Sequence, residues 1–161
     1  MATHCDHAHD GAGMSAGEVG RALTSAERRC AAQGERMTAP RRRVLELLLE
    51  AGEAVKAYDL MARYGVDGSA AKPPTVYRAL DFLEKAGLAH RIASISAYVA
   101  CSVGDRDHAA AFLICDCCGA TQEVTPPEGE ALHRAADAAG YAIERTTIEG
   151  HGLCPACQVV A

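Results

Sequence analysis

Two Cys-x-x-Cys pairs, Cys115/Cys118 and Cys154/Cys157, stand 35 residues apart and limit what the second half of this chain can fold into. Four thiolates at that spacing make a closed tetrahedral zinc site. Each pair can place both sulfurs on one metal from a tight turn, which Gly119 after the first pair and Pro155 inside the second favour. The competing reading is two disulfides. The chain shows no secretory signal and Cys117 would compete for pairing, so a reducing cytoplasm and a metal are expected. A thioredoxin-type redox motif would occur once, opening a helix, whereas this one is doubled across a strand-rich segment.

The length of 161 residues allows two small domains, the 49% apolar composition supports real cores, and no run approaches a membrane span. The net charge of −5 hides an asymmetry. Residues 21–100 carry 13 Lys/Arg against 9 Asp/Glu, and residues 101–161 carry 3 against 9. Only the first half is suited to a polyanion, and an acidic overall balance does not exclude nucleic-acid binding.

Helical periodicity organises that basic half. Val19, Leu23, Ala26 and Cys30 share one face of a segment over 17–34. A second helix has Thr38 as N-cap, Pro40 in its first turn, a stripe of Val44, Leu47, Leu48 and Ala51, and Gly52 as its stop. Arg41, Arg42 and Arg43 crowd its N-terminus, where cations oppose the helix dipole unless an anion such as a DNA phosphate sits there. A short helix over 57–64 follows, and Pro73-Pro74-Thr75 opens another running to Lys85 with Gly87 behind it. There Val76, Leu80 and Leu83 point one way and Arg78 and Asp81 the other, as a recognition helix requires. Residues 88–92 and 97–101 read as a two-stranded wing, so the fold expected is α+β with an N-terminal winged helix-turn-helix.

A hairpin centred between Ile95 and Ser96 pairs residues whose numbers sum to 191, which sets His90 opposite Cys101 at a separation suited to one metal. His108 follows in a small-residue linker from Gly104 to Ala110, and Glu123 lies on the strand after the first cysteine pair. Taken singly, each is an ordinary surface residue. Together, His90, Cys101, His108 and Glu123 would draw ligands from the wing, the linker and the second domain, so occupying the set would fix the angle between the domains. Cys101 supplies a soft thiolate that favours zinc over iron or manganese.

The second domain is expected to contain strands at 111–115 and 120–124, a helix at 126–139 opened by a Thr125/Glu128 capping box, and a strand at 141–148. About 50 residues have too little core to stand alone comfortably, so a zinc site and a partner subunit are both expected. His4, Cys5, His7 and His9 lie in a Gly/Ala-rich tail over residues 1–16 that reads as disordered. Cys117 is left as an alternative to Cys118, Cys30 reads as a small core residue, and His151 as a hydrogen-bond partner of the cysteine site. A zinc hydrolase or deaminase built on His90, Cys101 and His108 with Glu123 as general base lacks a visible pocket and the expected His-x-Glu pairing.

The stretches AYDL at 57–60, AKPPTVYRALDFLEKAGLAHRI at 71–92 and CDCCGATQEV at 115–124 resemble the Fur family of metal-responsive repressors, and HGLCPAC at 151–157 resembles its zinc branch. The resemblance covers residues 17–159. It implies a DNA-binding domain over 17–101, a hinge over 102–110, and a dimerisation and zinc-binding domain over 111–161. It further implies a cytoplasmic homodimer that represses zinc-uptake genes at a pseudo-palindromic double-stranded operator. By position, Cys115, Cys118, Cys154 and Cys157 match the structural zinc ligands, and His90, Cys101, His108 and Glu123 the regulatory ones, giving two zincs per chain. Tyr58 and Arg78 match residues that read bases, and the likeness extends to Thr75 and Tyr77. Relatives sensing iron, manganese or peroxide are the alternative within the family.

Overall fold

The computed structural model describes residues 13–65, 67–101, 110–126 and 130–159. His108 and most of the linker, the cluster His4, Cys5, His7 and His9, and Glu128 of the expected capping box lie outside the described residues. The chain divides into two compact units, one spanning Asp10–Arg106 and the other including Asp107–Ala161.

In the first unit, α1 (Ala16–Ala32) starts where Ser15 and Glu18 form a reciprocal capping box, with the Ser15 amide donating to the Glu18 carboxylate at 2.9 Å. This signal fixes the start one residue before the point that apolar spacing indicated. The helix buries the expected face of Val19, Leu23, Ala26 and Cys30. α2 (Ala39–Ala51) begins with Pro40 near its N-terminus and ends on Gly52 at φ 62°. Thr38 occupies the N-cap position there without a side-chain capping bond. A two-residue strand β1 (Val55–Lys56), absent from the sequence reading, leads into α3 (Ala57–Arg63), and α4 runs Pro73–Lys85 as its proline start and glycine stop require.

Leu23, Leu48, Leu60, Leu80 and Leu83, at most 1% exposed, bring the four helices onto one core. Each such side chain contributes about 1.5–3 kcal/mol by leaving water. The wing strands β2 (Ala89–Ile92) and β3 (Ala97–Ala100) pair antiparallel, and β1 adds to the outer edge of β3.

The register of the wing corrects the expected pairing. Paired residues sum to 189, so His90 faces Val99, and the Cys101 amide donates to Leu88 at 3.0 Å. The cause is a four-residue loop, Ala93–Ser96, in which Ser96 takes a left-handed φ of 51° and donates back to the Ala93 carbonyl. The displacement amounts to one full pleat, so His90 and Cys101 remain on the same face as diagonal neighbours.

The second unit is a three-stranded sheet with β4 (Ala110–Cys115) in the middle, antiparallel to β5 (Thr121–Val124) and parallel to β6 (Thr147–Gly152). The parallel pair needs a crossover, which α5 (Glu130–Ala139) supplies. The last strand therefore lies at 147–152 rather than 141–148, because pairing with β4 sets its position and the local alternation after Tyr141 does not. A short α6 (Pro155–Gln158) closes the described chain.

Candidate metal centre and nucleic-acid interface

Parallel pairing of β4 with β6 ends at Cys115 opposite Gly152, and the Asp116 amide donates to the Gly152 carbonyl at 2.8 Å. This alignment delivers both cysteine pairs to one end of the sheet. After Cys115 the chain turns tightly through Gly119, whose φ of 78° suits a residue without a β-carbon and whose amide returns to the Cys115 carbonyl at 2.9 Å. On the other side Cys154 is the N-cap residue of α6, with Pro155 in the first turn and Cys157 buried within the helix.

The sulfurs of Cys115, Cys118, Cys154 and Cys157 all lie within 4.8 Å of one another, and those of Cys118 and Cys154 are 3.8 Å apart. A tetrahedral zinc with bonds of about 2.3 Å requires edges of about 3.8 Å. The cluster therefore fits zinc, and the sulfur separation is too long for a disulfide. Cys117 is not among the four converging thiols, although its side chain also interacts with Cys157.

The protein prepares one of these thiols for a cation. The amides of Cys118 and Cys154 point at the Cys115 sulfur, the latter at 3.3 Å, and hold its pKa down at about 6. Cys118 also receives the Ala120 amide, but burial and the neighbouring Cys115 and Cys154 thiols outweigh it and raise its pKa. Burial, together with the Cys154 and Cys118 thiols, pushes Cys157 up strongly. The lowered Cys115 thiol thus favours the thiolate near neutral pH, while binding must displace the protons still held by the other ligand thiols. Zinc affinity consequently rises with pH through neutrality. Below about pH 6 the slope of log K against pH steepens by one further proton as Cys115 protonates. Competition titrations against a chelator of known proton linkage measure this directly, and a constant slope across pH 6 would exclude the prepared thiolate.

His151 on β6 supports the first cysteine turn, its Nδ1 lying 3.0 Å from Asp116 Oδ1. The expected hydrogen-bonding role is met through the residue beside Cys115. His90 and Cys101 form a second candidate pair within the first unit, their ligand atoms within 4.8 Å of one another on one face of the wing. Glu123 sits on β5 of the second unit opposite Phe112.

In the helix-turn-helix, α3 and α4 display the expected DNA-facing residues unequally. Tyr58 is 78% exposed, so it is no core residue, and Tyr77 is 47% exposed. Arg78 is exposed on the face opposite Val76, Leu80 and Leu83, and Thr75 is half-buried.

The three arginines opening α2 have partners inside the chain. Arg41 stacks its guanidinium 3.5 Å from the Phe82 ring centroid and donates to the Arg36 carbonyl at 2.6 Å. Arg42 pairs with Glu27 at 2.9 Å. Arg43 bridges Glu46 and the Tyr64 and Arg63 carbonyls at the end of α3, fastening the helix that carries Tyr58. Arg42 and Arg43 thus have carboxylate partners within the protein, whereas Arg41 is held by an aromatic face and a carbonyl. Partners distant in sequence, such as Phe82, give no local signal.

A winged helix-turn-helix with exposed recognition residues, joined in one chain to a four-cysteine metal centre, defines a metal-dependent transcription regulator. Residues 32–151 match the ferric uptake regulator family. The zinc uptake regulation protein of Escherichia coli (strain K12) is 43% identical over 138 residues, 84% of this chain and 80% of that protein. A solved zinc uptake regulator complexed with zinc and DNA has a TM-score of 0.79 at 41% identity, covering 88% of this chain and 96% of that one. The crystal structure of holo XcZur gives a TM-score of 0.73 at 40% identity, covering 85% and 96%. The chain belongs to the ferric uptake regulator family.

Proposed function

We propose that this protein is a zinc-responsive, DNA-binding transcriptional repressor of zinc-uptake genes, acting as a homodimer in the cytoplasm. The observation that supports the reading is a pair of side chains able to hold a metal, His90 and Cys101, in the wing of the same unit that exposes Tyr58, Tyr77 and Arg78. Residues 17–101 form the DNA-binding domain, 102–110 the hinge, and 111–161 the dimerisation domain.

Two zincs per chain have separate tasks. Cys115, Cys118, Cys154 and Cys157 hold the structural ion. His90, Cys101, His108 and Glu123 hold the exchangeable one. Zinc held by this set would cross-link its ligands, its two positive charges neutralised by Cys101 and Glu123, whereas four thiolates around one zinc would keep a charge of −2. The soft Cys101 thiolate disfavours iron and manganese. Because the regulatory ligands come from both units, the set is complete only in one relative arrangement. Moving that arrangement from about 1% to 99% requires about 5.5 kcal/mol of differential affinity.

The dimer rests on apolar surface left uncovered in the second unit. Leu113, Leu132, Tyr141 and Leu153 are exposed there, and α5 buries none of its residues. A second copy would cover such a surface and set two recognition helices about 34–36 Å apart on a pseudo-palindrome.

In the major groove Arg78 donates two hydrogen bonds to a guanine, with Tyr58, Thr75 and Tyr77 alongside. Arg78→Ala is expected to cost about 1–3 kcal/mol at one operator position and to relax selectivity there. Binding to operators varied base by base reads this out, and an unchanged preference at every position would remove Arg78 from the readout.

Metal content per chain, before and after dialysis against a mild chelator under reducing conditions, tests the whole proposal alongside zinc-dependent operator binding. Two zincs falling to one, with the fold retained and operator binding lost, is the expected result. Iron or manganese in the exchangeable position would assign the protein to another branch of the family. Family membership favours this regulatory reading over a zinc hydrolase or deaminase.

A further inference from the structure

The wing carries a basic residue that the recognition helix does not account for. Antiparallel pairing sets Arg91 opposite Tyr98, on the sheet face that also holds Ala89 and packs toward α4. Tyr98 is buried there and Arg91 is exposed. Burial raises the Tyr98 phenol, and Arg91 is the charged group acting on it most strongly, ahead of Glu84, Tyr77 and Asp81 of α4. The pairing with Tyr98 and the packing of β2 against α4 place Arg91 on the strand that borders the recognition helix.

Its bonding contrasts with that of the α2 arginines. Arg41, Arg42 and Arg43 are each held by a side chain or carbonyl of the protein. Arg91 makes no ion pair or side-chain hydrogen bond among the described residues, although Glu84 and Asp81 lie on the adjoining helix. β2 is the edge strand of the wing sheet, so Arg91 stands at its outer border, where a long cation is free to reach a phosphate. Backbone contacts fix orientation and carry no sequence information directly.

We propose that Arg91 is a phosphate-contacting residue of the wing that positions α4 on DNA without reading bases. The inference rests on the DNA-binding reading above. Arg91 would fix the angle at which α4 enters the groove, leaving Arg78 and its neighbours to select the sequence. Because Arg91 follows His90 directly in the wing, the contact would also tie the candidate zinc ligand to the DNA interface.

The test is the salt dependence of DNA binding at saturating zinc, from low salt upward, for the unsubstituted full-length protein, Arg91→Ala and Arg91→Lys. Two duplexes are used, one carrying the promoter of a zinc-uptake gene and one with the same bases scrambled. Neutralising one phosphate contributes about 0.9 to the slope of log K against log salt concentration. Arg91→Ala is expected to lower the slope magnitude by about 0.9 per wing in contact and to weaken both duplexes by the same factor. Arg91→Lys, which keeps the charge, is expected to restore the slope. An unchanged slope in Arg91→Ala, or weakening confined to the promoter duplex, would overturn the proposal. Failure of the unsubstituted protein to prefer the promoter duplex with zinc would instead reject DNA regulation itself, so the two failures are distinguishable.

Discussion

Serine at position 118 or 154 is expected to empty the four-thiol centre and to unfold the C-terminal unit. A neutral alcohol does not replace a thiolate on zinc, and the three remaining sulfurs leave the tetrahedron open. Structural zinc sites supply an apparent binding free energy of about 10–16 kcal/mol at neutral pH. A sheet of three short strands with an uncovered helix has little else to set against chain entropy. Loss of one ligand should therefore appear as loss of the non-exchangeable zinc, rapid proteolysis after β4, and a monomer on size-exclusion chromatography. Cys117→Ser is the matched control, because its thiol stands outside the converging four. A Cys118→Ser protein that keeps its full zinc content and remains dimeric would refute the assignment.

Cys101→Ser is expected to have the opposite profile. The fold, the dimer and the structural zinc survive, while zinc-stimulated operator binding disappears. His90 and Cys101 are diagonal neighbours on the wing, with ligand atoms close enough for one ion, and the serine hydroxyl removes the soft donor from that pair. If regulatory zinc favours the DNA-binding arrangement by about 5.5 kcal/mol, losing it lowers the equilibrium constant by about 10⁴. Operator binding with and without zinc, measured beside elemental analysis, separates this outcome from general destabilisation. An intact zinc response in Cys101→Ser would remove Cys101 from the sensor.

These two variants sit in different units, and the contrast between them is the functional argument in brief. An ion at the four cysteines would be held between turns whose amides already face Cys115, so its exchange would require local opening.

Much of the first unit was legible because its signals are local. Pro73 and Gly87 bracket α4, Gly52 ends α2, and apolar residues at helical spacing mark the buried faces of α1 and α4. The four cysteines were legible for a similar reason, since Cys-x-x-Cys sets two ligands in one turn. Long family-like stretches supplied what periodicity lacked, including the roles proposed for Tyr58, Arg78 and the His90, Cys101, His108 and Glu123 set.

Elsewhere local patterning was outweighed. The wing pairs with a sum of 189 because a left-handed Ser96 closes a four-residue loop, a preference weaker in the sequence than glycine would have made it. β6 forms at 147–152 because it must lie parallel to β4 with Gly152 opposite Cys115. Arg41 turns to Phe82, a partner distant in the chain that no local pattern announces.

By itself, then, the sequence determined the helices of the first unit, the four sulfurs of the metal centre and the exposed face that carries Arg78, because caps, helical spacing and Cys-x-x-Cys turns act over a few residues. Only the tertiary structure decided the wing register, the place of β6 and the partners of the α2 arginines. Those depend on contacts between segments far apart in the chain, whose free energy appears only when the segments pack together.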